Sequence, residues 1–155
     1  MDGAAELVNA TVIAIAGRAA LIQGPSGAGK SDLALRCLAQ GASPLLPDPA
    51  RFVADDWVRV VRAGDRLRAE APEAILGKLE VRGLGIVAVE YAGPADVALV
   101  VEIVPASDIE RLPDPSARAT LMGLQLPLLR VAAFEASATA KVLLALAATA
   151  GPGAG

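Results

Sequence analysis

Apolar and polar positions along the first part of the chain fall into short β-type runs. Residues 8–16 are β-branched and apolar apart from Asn9 and Thr11, and predict one strand; Gly17 and Arg18 predict a turn into a second strand over residues 19–23. The pattern then changes period. Leu33, Ala34, Cys37 and Leu38 share one face of a helix over residues 32–38, and Gly41 stands where a C-terminal cap belongs. Pro44, Pro47 and Pro49 cannot sit in a continuing helix or a central strand, so residues 42–50 predict a loop. Strand patterning returns at residues 51–54, continues through 57–62, turns at Gly64 and Asp65 and resumes over 67–71. Residues 72–77 read as a connector with one helical turn, and residues 79–91 as extended chain with a close backbone approach at Gly83 and Gly85. Residues 97–104 are apolar except Glu102, the signature of a strand covered on both faces. Beyond them the pattern predicts a loop over 105–119 with a short helix around 107–111, a last strand over 124–129 interrupted by Pro127, and a closing helix over 137–148. The elements describe an α/β fold, a mixed β-sheet flanked by helices, in a single domain over residues 1–150 with a fraying tail at 151–155.

Composition sharpens this picture mainly by exclusion. A chain of 155 residues that is 54% hydrophobic can bury a substantial core. Its net charge of -3 argues against general affinity for nucleic acid or anionic lipid. The single cysteine, Cys37, lies on the apolar face of the first helix and reads as core filler, so no disulfide framework exists. Residues 1–6 include acids and lack the basic start and apolar run of a signal peptide, and no segment approaches a membrane-spanning length; a cytoplasmic protein is expected. The chain has no histidine. That count removes His-based triads, His general bases and His metal ligands, and shifts acid/base chemistry to Asp and Glu.

The candidate chemistry centres on Gly24, Pro25, Ser26, Gly27, Ala28, Gly29, Lys30 and Ser31, a G-x-x-x-x-G-K-S sequence between an apolar run and a helical pattern. In that context glycines let the backbone curl into a nest of N–H groups, the lysine reaches the outer phosphates and the serine hydroxyl can ligate Mg²⁺. Only Lys30, Lys78 and Lys141 are lysines, so the placement of one here is informative. The loop implies a nucleoside triphosphate and leaves the phosphate acceptor open. Asp55 and Asp56 close the strand over 51–54, where a sheet presents side chains to phosphates at its carboxyl edge. One reading makes this pair a metal site and another makes it a general base; alternation along a strand turns only one toward the reacting phosphate, and Asp55 is favoured for the chemistry. Glu80 and Arg82 share a strand face by their period of two, so that Glu80 completes the Mg²⁺ shell with Ser31 and Arg82 orients a phosphate or an acidic partner.

Residues 24–31, then Val53-Ala54-Asp55-Asp56, then Leu79-Glu80-Val81-Arg82-Gly83-Leu84-Gly85-Ile86 resemble, in order and spacing, the catalytic domain of the bacterial HPr kinase/phosphorylase family over roughly the first hundred residues. The resemblance implies a serine kinase that uses ATP and Mg²⁺ and acts on HPr, the small phosphocarrier of the sugar phosphotransferase system. Lys30 would hold and polarise the transferred phosphate. Ser31, Glu80 and Asp56 would serve the metal, and Asp55 would take the proton of the target serine. Arg82, Gly83 and Gly85 would lie around the phosphates and the docked partner, and Arg111 would match the family's catalytic arginine. The reverse reaction, phosphorolysis of phosphoserine-HPr, would use Asp55 as an acid.

The chain departs from the family in several places. Asn9 stands where the family has a catalytic histidine, and an amide cannot titrate. Residues 43–50 insert a proline-rich stretch. The C-terminal third lacks the arginine- and glycine-bearing segment linked to dephosphorylation, and a short form without the longer members' separate N-terminal domain is expected. Kinase activity survives these losses more easily than phosphorolysis. The contrasting expectations are a non-catalytic nucleotide-binding regulator, which Asn9 favours, and a small-molecule kinase related through the loop alone. Long members form hexamers, and the resemblance extends the option of a homo-oligomer to this chain.

Overall fold

A computed structural model describes residues 3–150. The apolar run at the start divides into β1 (Ala5–Asn9) and β2 (Thr11–Ile15), followed by β3 (Arg18–Gln23). The division corrects the single strand expected over residues 8–16, and its cause is tertiary. Ala10 donates its N–H to the Asp56 carbonyl at 2.9 Å, so β1 leaves to pair with β5 (Trp57–Ala63) while β2 pairs with β3 and with β4 (Arg51–Ala54). Ala16 and Gly17 join β2 to β3 with φ of 51° and 79°, the two left-handed residues that a tight hairpin needs.

The remaining strands are β6 (Arg66–Glu70), β7 (Lys78–Val81), β8 (Gly85–Ala88), β9 (Ala95–Ile103), β10 (Arg118–Leu121) and β11 (Leu124–Val131), with helices α1 (Lys30–Ala39) and α2 (Ala138–Ala148). The main sheet runs β1-β5-β6-β9-β3-β2-β4, with β11 joining β9 and carrying β10, while β7 and β8 form a separate hairpin. β3, β9 and β11 are parallel to one another. β2 is antiparallel to both β3 and β4, so β4 runs in the direction of β3. One edge of the sheet therefore collects the carboxyl ends of β3, β4, β9 and β11 and the amino end of β2. This is the edge at which open α/β sheets bind ligands.

Alternation along the central strands sorts the core into two layers. Ile13, Ile15, Ala20 and Ile22 face one way, against Leu33, Ala34 and Cys37 of α1 and Val142, Leu143 and Leu146 of α2. Val12, Ala14, Ala19 and Leu21 face the other way, against Val58 and Val60 of β5 and Leu67 and Ala69 of β6. The α/β architecture with a mixed sheet forms as expected. Both helices cover one face, and the sheet curls over its own other face. Complete burial of large side chains such as Ile13, Ile22, Leu33 and Phe52 is worth about 1.5–3 kcal/mol each.

Two expectations change in the last third. The short helix around residues 107–111 is a single 3₁₀ turn at Ala106–Asp108, and β10 occupies chain expected as loop. β11 runs through Pro127 without interruption, because Pro127 lies one residue before the pairing with β9 starts at Leu128 and its missing N–H costs that ladder nothing. The single helical turn expected between residues 72 and 77 forms at Glu73–Ile75. The tail expected to fray, residues 151–155, lies outside the described residues.

Candidate functional site

The residues between β3 and α1 fold as a tight loop at the ligand-binding edge. Gly27 and Gly29 hold φ of 78° and 101°, conformations that a residue with a Cβ adopts only at a cost. Gly24 is constrained differently: a Cβ there would lie 3.1 Å from Ile103 Cβ, so the loop packs tightly against the end of β9. Ala28 donates its N–H to the Pro25 carbonyl at 3.0 Å, and the loop opens into α1, whose first N–H groups and positive dipole end favour an anion. Lys30 is only 7% exposed. Its Nζ donates to the carbonyls of Gly24 at 2.7 Å and Pro25 at 3.3 Å, which holds the cation at the loop.

The acids arrive from β4. Asp55 is 6% exposed, and both of its oxygens are engaged. Oδ1 accepts from Ser31 Oγ at 2.6 Å and from Thr11 Oγ1 at 2.9 Å, while Oδ2 accepts from the Glu80 N–H at 2.9 Å. Thr11, Lys30 and Asp55 are three of the four buried polar or charged side chains among the described residues. Burial of this kind is costly unless hydrogen bonds compensate it, and here they do. Asp56 turns away in a left-handed conformation, φ 66°, and is exposed. Asn9 Nδ2 donates to its Oδ1 at 3.0 Å and to its carbonyl at 2.9 Å; its Oδ2 has no hydrogen-bond partner among the described residues.

The other expected site residues stand further out. The β7–β8 hairpin touches the centre through the Glu80 backbone, whereas the Glu80 side chain is exposed. Glu80 and Arg82 do not share a strand face, which corrects that expectation. β7 ends at Val81, and Arg82 lies in the turn, where Leu84 donates its N–H to the Val81 carbonyl at 2.9 Å. Gly83 and Gly85 build this turn with φ of 92° and 96°. Arg111 is exposed on the loop between β9 and β10, and no hydrogen bond ties it to the loop of residues 24–31 among the described residues. Ser26 is exposed at the outer bend.

Thr11 was not singled out by its sequence context. The only signal is a hydroxyl in an otherwise apolar strand start, and its significance depends on β4 bringing Asp55 against it. Mg²⁺ prefers oxygen ligands, and Ser31 Oγ and the Asp55 carboxylate are an adjacent oxygen pair beside the phosphate loop, so the donor set fits that ion. Among the described residues no group of three or more His, Cys, Asp or Glu side chains gathers as a self-sufficient metal site. No described helix is long and apolar enough to cross a membrane.

The HPr kinase/phosphorylase of Cupriavidus necator is 33% identical over 127 residues, which are 76% of this chain and 37% of that protein. That of an Exiguobacterium species is 39% identical over 81 residues, 52% of this chain and 24% of that protein. The chain thus spans well under half the length of these curated relatives. The structure of the Hpr(Ser) kinase/phosphatase from Coxiella burnetii matches with a TM-score of 0.72 at 20% identity, over 90% of this chain and 93% of that one, a likeness of fold. The family model for the HPr serine kinase C-terminal domain matches residues 4–150. Since that match takes in every strand and both helices, the chain belongs to the HPr serine kinase C-terminal domain family.

Proposed function

We propose that this protein is a cytoplasmic kinase that transfers the terminal phosphate of ATP to a serine hydroxyl of HPr or a related phosphocarrier. The observation that carries the reading is the hydrogen-bonded set Thr11–Asp55–Ser31, in which Thr11 and Asp55 are buried and Ser31 half-buried beside Lys30 and the glycine loop, with the exposed Asp56 next in sequence. Lys30 neutralises the transferred phosphate. Ser31 and Asp55 would hold Mg²⁺, with Glu80 supporting from the hairpin, and the ion when bound supplies charge neutralisation on the phosphates. We assign the two acids the reverse of the roles expected of them, an assignment supported by their burial and hydrogen bonding. Asp55 is buried and held by three accepted hydrogen bonds, whereas Asp56 is exposed, keeps Oδ2 open and is oriented through Oδ1 by Asn9. The serine oxygen attacks the terminal phosphorus, its proton passes to Asp56, and ADP leaves with the bridging electron pair. Arg82, at the tip of the exposed hairpin, faces the incoming protein, and Arg111 keeps its role as the arginine that neutralises charge on the strength of the resemblance alone.

A regulator that binds nucleotide without turnover is the competing reading, supported by the amide at Asn9. Incubation of the purified chain with labelled ATP, Mg²⁺ and a panel of phosphocarriers decides between them. We expect label on a serine of the carrier. Asp56→Asn is expected to lower transfer by at least about a hundredfold while ATP binding persists, and Asp55→Asn to weaken Mg²⁺-dependent ATP binding itself. ATP binding without labelled protein would establish the regulator, and transfer undiminished in Asp56→Asn would remove that residue as the base.

A further inference from the structure

A second feature of the same edge has no role in the chemistry just described. A cleft of about 500 Å³ opens beside the glycine loop, lined by Pro25, Ala28, Ile103, Pro105, Phe134 and Glu135 among others. Its walls are the segments that follow β3, β9 and β11, the three parallel strands, which is the crevice where open sheets seat ligands. The volume lies within the range of small-molecule sites. Phe134 is 74% exposed at this cleft, in a chain with only two phenylalanines, one tryptophan and one tyrosine. Its ring lies against the loop: a Cβ built on Gly29 would stand 2.8 Å from Phe134 Cζ.

The sheet order gives the cleft a direction relative to the chemistry. Asp55, Asp56 and Thr11 come from β4 and β2, on one side of β3, and the cleft comes from β9 and β11, on the other. A triphosphate lying across the end of β3 with its terminal phosphate at the acids places its nucleoside over the cleft. We propose that this cleft is the nucleoside subsite, in which Phe134 stacks on the purine ring of ATP and Glu135 accepts from the exocyclic amine. Glu135 is suited to that task, since its Oε2 takes the Lys141 ammonium at 2.8 Å and its Oε1 has no hydrogen-bond partner among the described residues. A flat aromatic face and a fixed acceptor are the combination that holds a base through stacking and one edge contact.

The inference rests on the reading of residues 24–31 as a triphosphate site, so its test separates the phosphates from the nucleoside. Calorimetric titration in Mg²⁺ compares ATP with inorganic tripolyphosphate on the wild type, Phe134→Ala, Phe134→Tyr and Lys30→Ala. We expect Phe134→Ala to weaken ATP about tenfold and tripolyphosphate by no more than about twofold. Phe134→Tyr should restore ATP affinity, and Lys30→Ala should lose both ligands. If Phe134→Ala leaves ATP unchanged, or weakens both ligands alike, the cleft is not the nucleoside subsite although the phosphate site stands. If the wild type binds tripolyphosphate as tightly as ATP, the same conclusion follows. If it binds neither, the triphosphate reading falls and takes this one with it.

Discussion

Asn9 and Asp56 form the pair on which the proposed proton transfer depends. The amide at Asn9 donates to Asp56 from across the β1–β2 break, through contacts of 2.9 and 3.0 Å. A side-chain amide orients a carboxylate but does not change charge with pH. No titration at this position therefore shapes the activity of the wild-type chain. Asn9→His would place there a group that ionises near pH ~6.5 when unperturbed, and the adjacent carboxylate favours its charged form, which moves the transition upward. Imidazolium paired with Asp56 holds a proton at the base, and neutral imidazole does not. We expect transfer by Asn9→His to rise as pH increases through roughly 7 to 8, with the wild-type rate flat over the same window. The pH–rate profiles of the two proteins check this, and an identical inflection in both would assign the limiting ionisation elsewhere.

Among the elements, those written in local pattern were legible and those set by a distant partner were not. The apolar run of β9, the glycine loop with its following helix, and the turn at Gly64 all announce themselves within a few residues. The break at Ala10 does not, since Ala10 looks like any apolar strand residue until Asp56 arrives to accept its N–H. β10 escaped notice because it is four residues long and follows a proline-rich loop, and its existence depends on the tight turn at Met122 and Gly123, with φ of 48° and 81°. Thr11 has the same history as Ala10: 44 residues separate it from the carboxylate that gives it a role. The glycine loop also carries a prediction at this scale. Gly29 precedes α1 at φ 101°, where a side chain costs about 1–2 kcal/mol and the new methyl group displaces the Phe134 ring. Gly29→Ala is expected to lower the melting temperature by about 3–6 °C and, unlike Phe134→Ala, to weaken tripolyphosphate and ATP together. Thermal unfolding with parallel titrations measures both, and unimpaired tripolyphosphate binding would show that the loop tolerates the strain.

The whole molecule stacks one helical layer on a sheet that curls over its other face, and Cys37 reports on the helical layer. Its side chain is 1% exposed, on the face of α1 that meets the core. Burial pushes its thiol up from 9.0 to about 12, only partly offset by the neighbouring Arg36 guanidinium. Such a thiol is inert while the core is intact and reactive once it opens. The same shift makes a prediction about alkaline stability. Above pH 9 the unfolded chain loses this proton and the native one keeps it, so the unfolded state binds fewer protons and stability falls as pH rises toward 12. The slope from this single group is about 1.4 kcal/mol per pH unit within that window. Cys37→Ala removes the term while leaving a small cavity that costs roughly 1 kcal/mol at neutral pH. Denaturant unfolding from pH 7 to 11 is therefore expected to give two curves that start apart, with the wild type more stable, and that cross at about pH 10, since only the wild type carries the thiol term. Curves that stay parallel throughout would mean that the helical layer opens enough in the native state for Cys37 to ionise without unfolding.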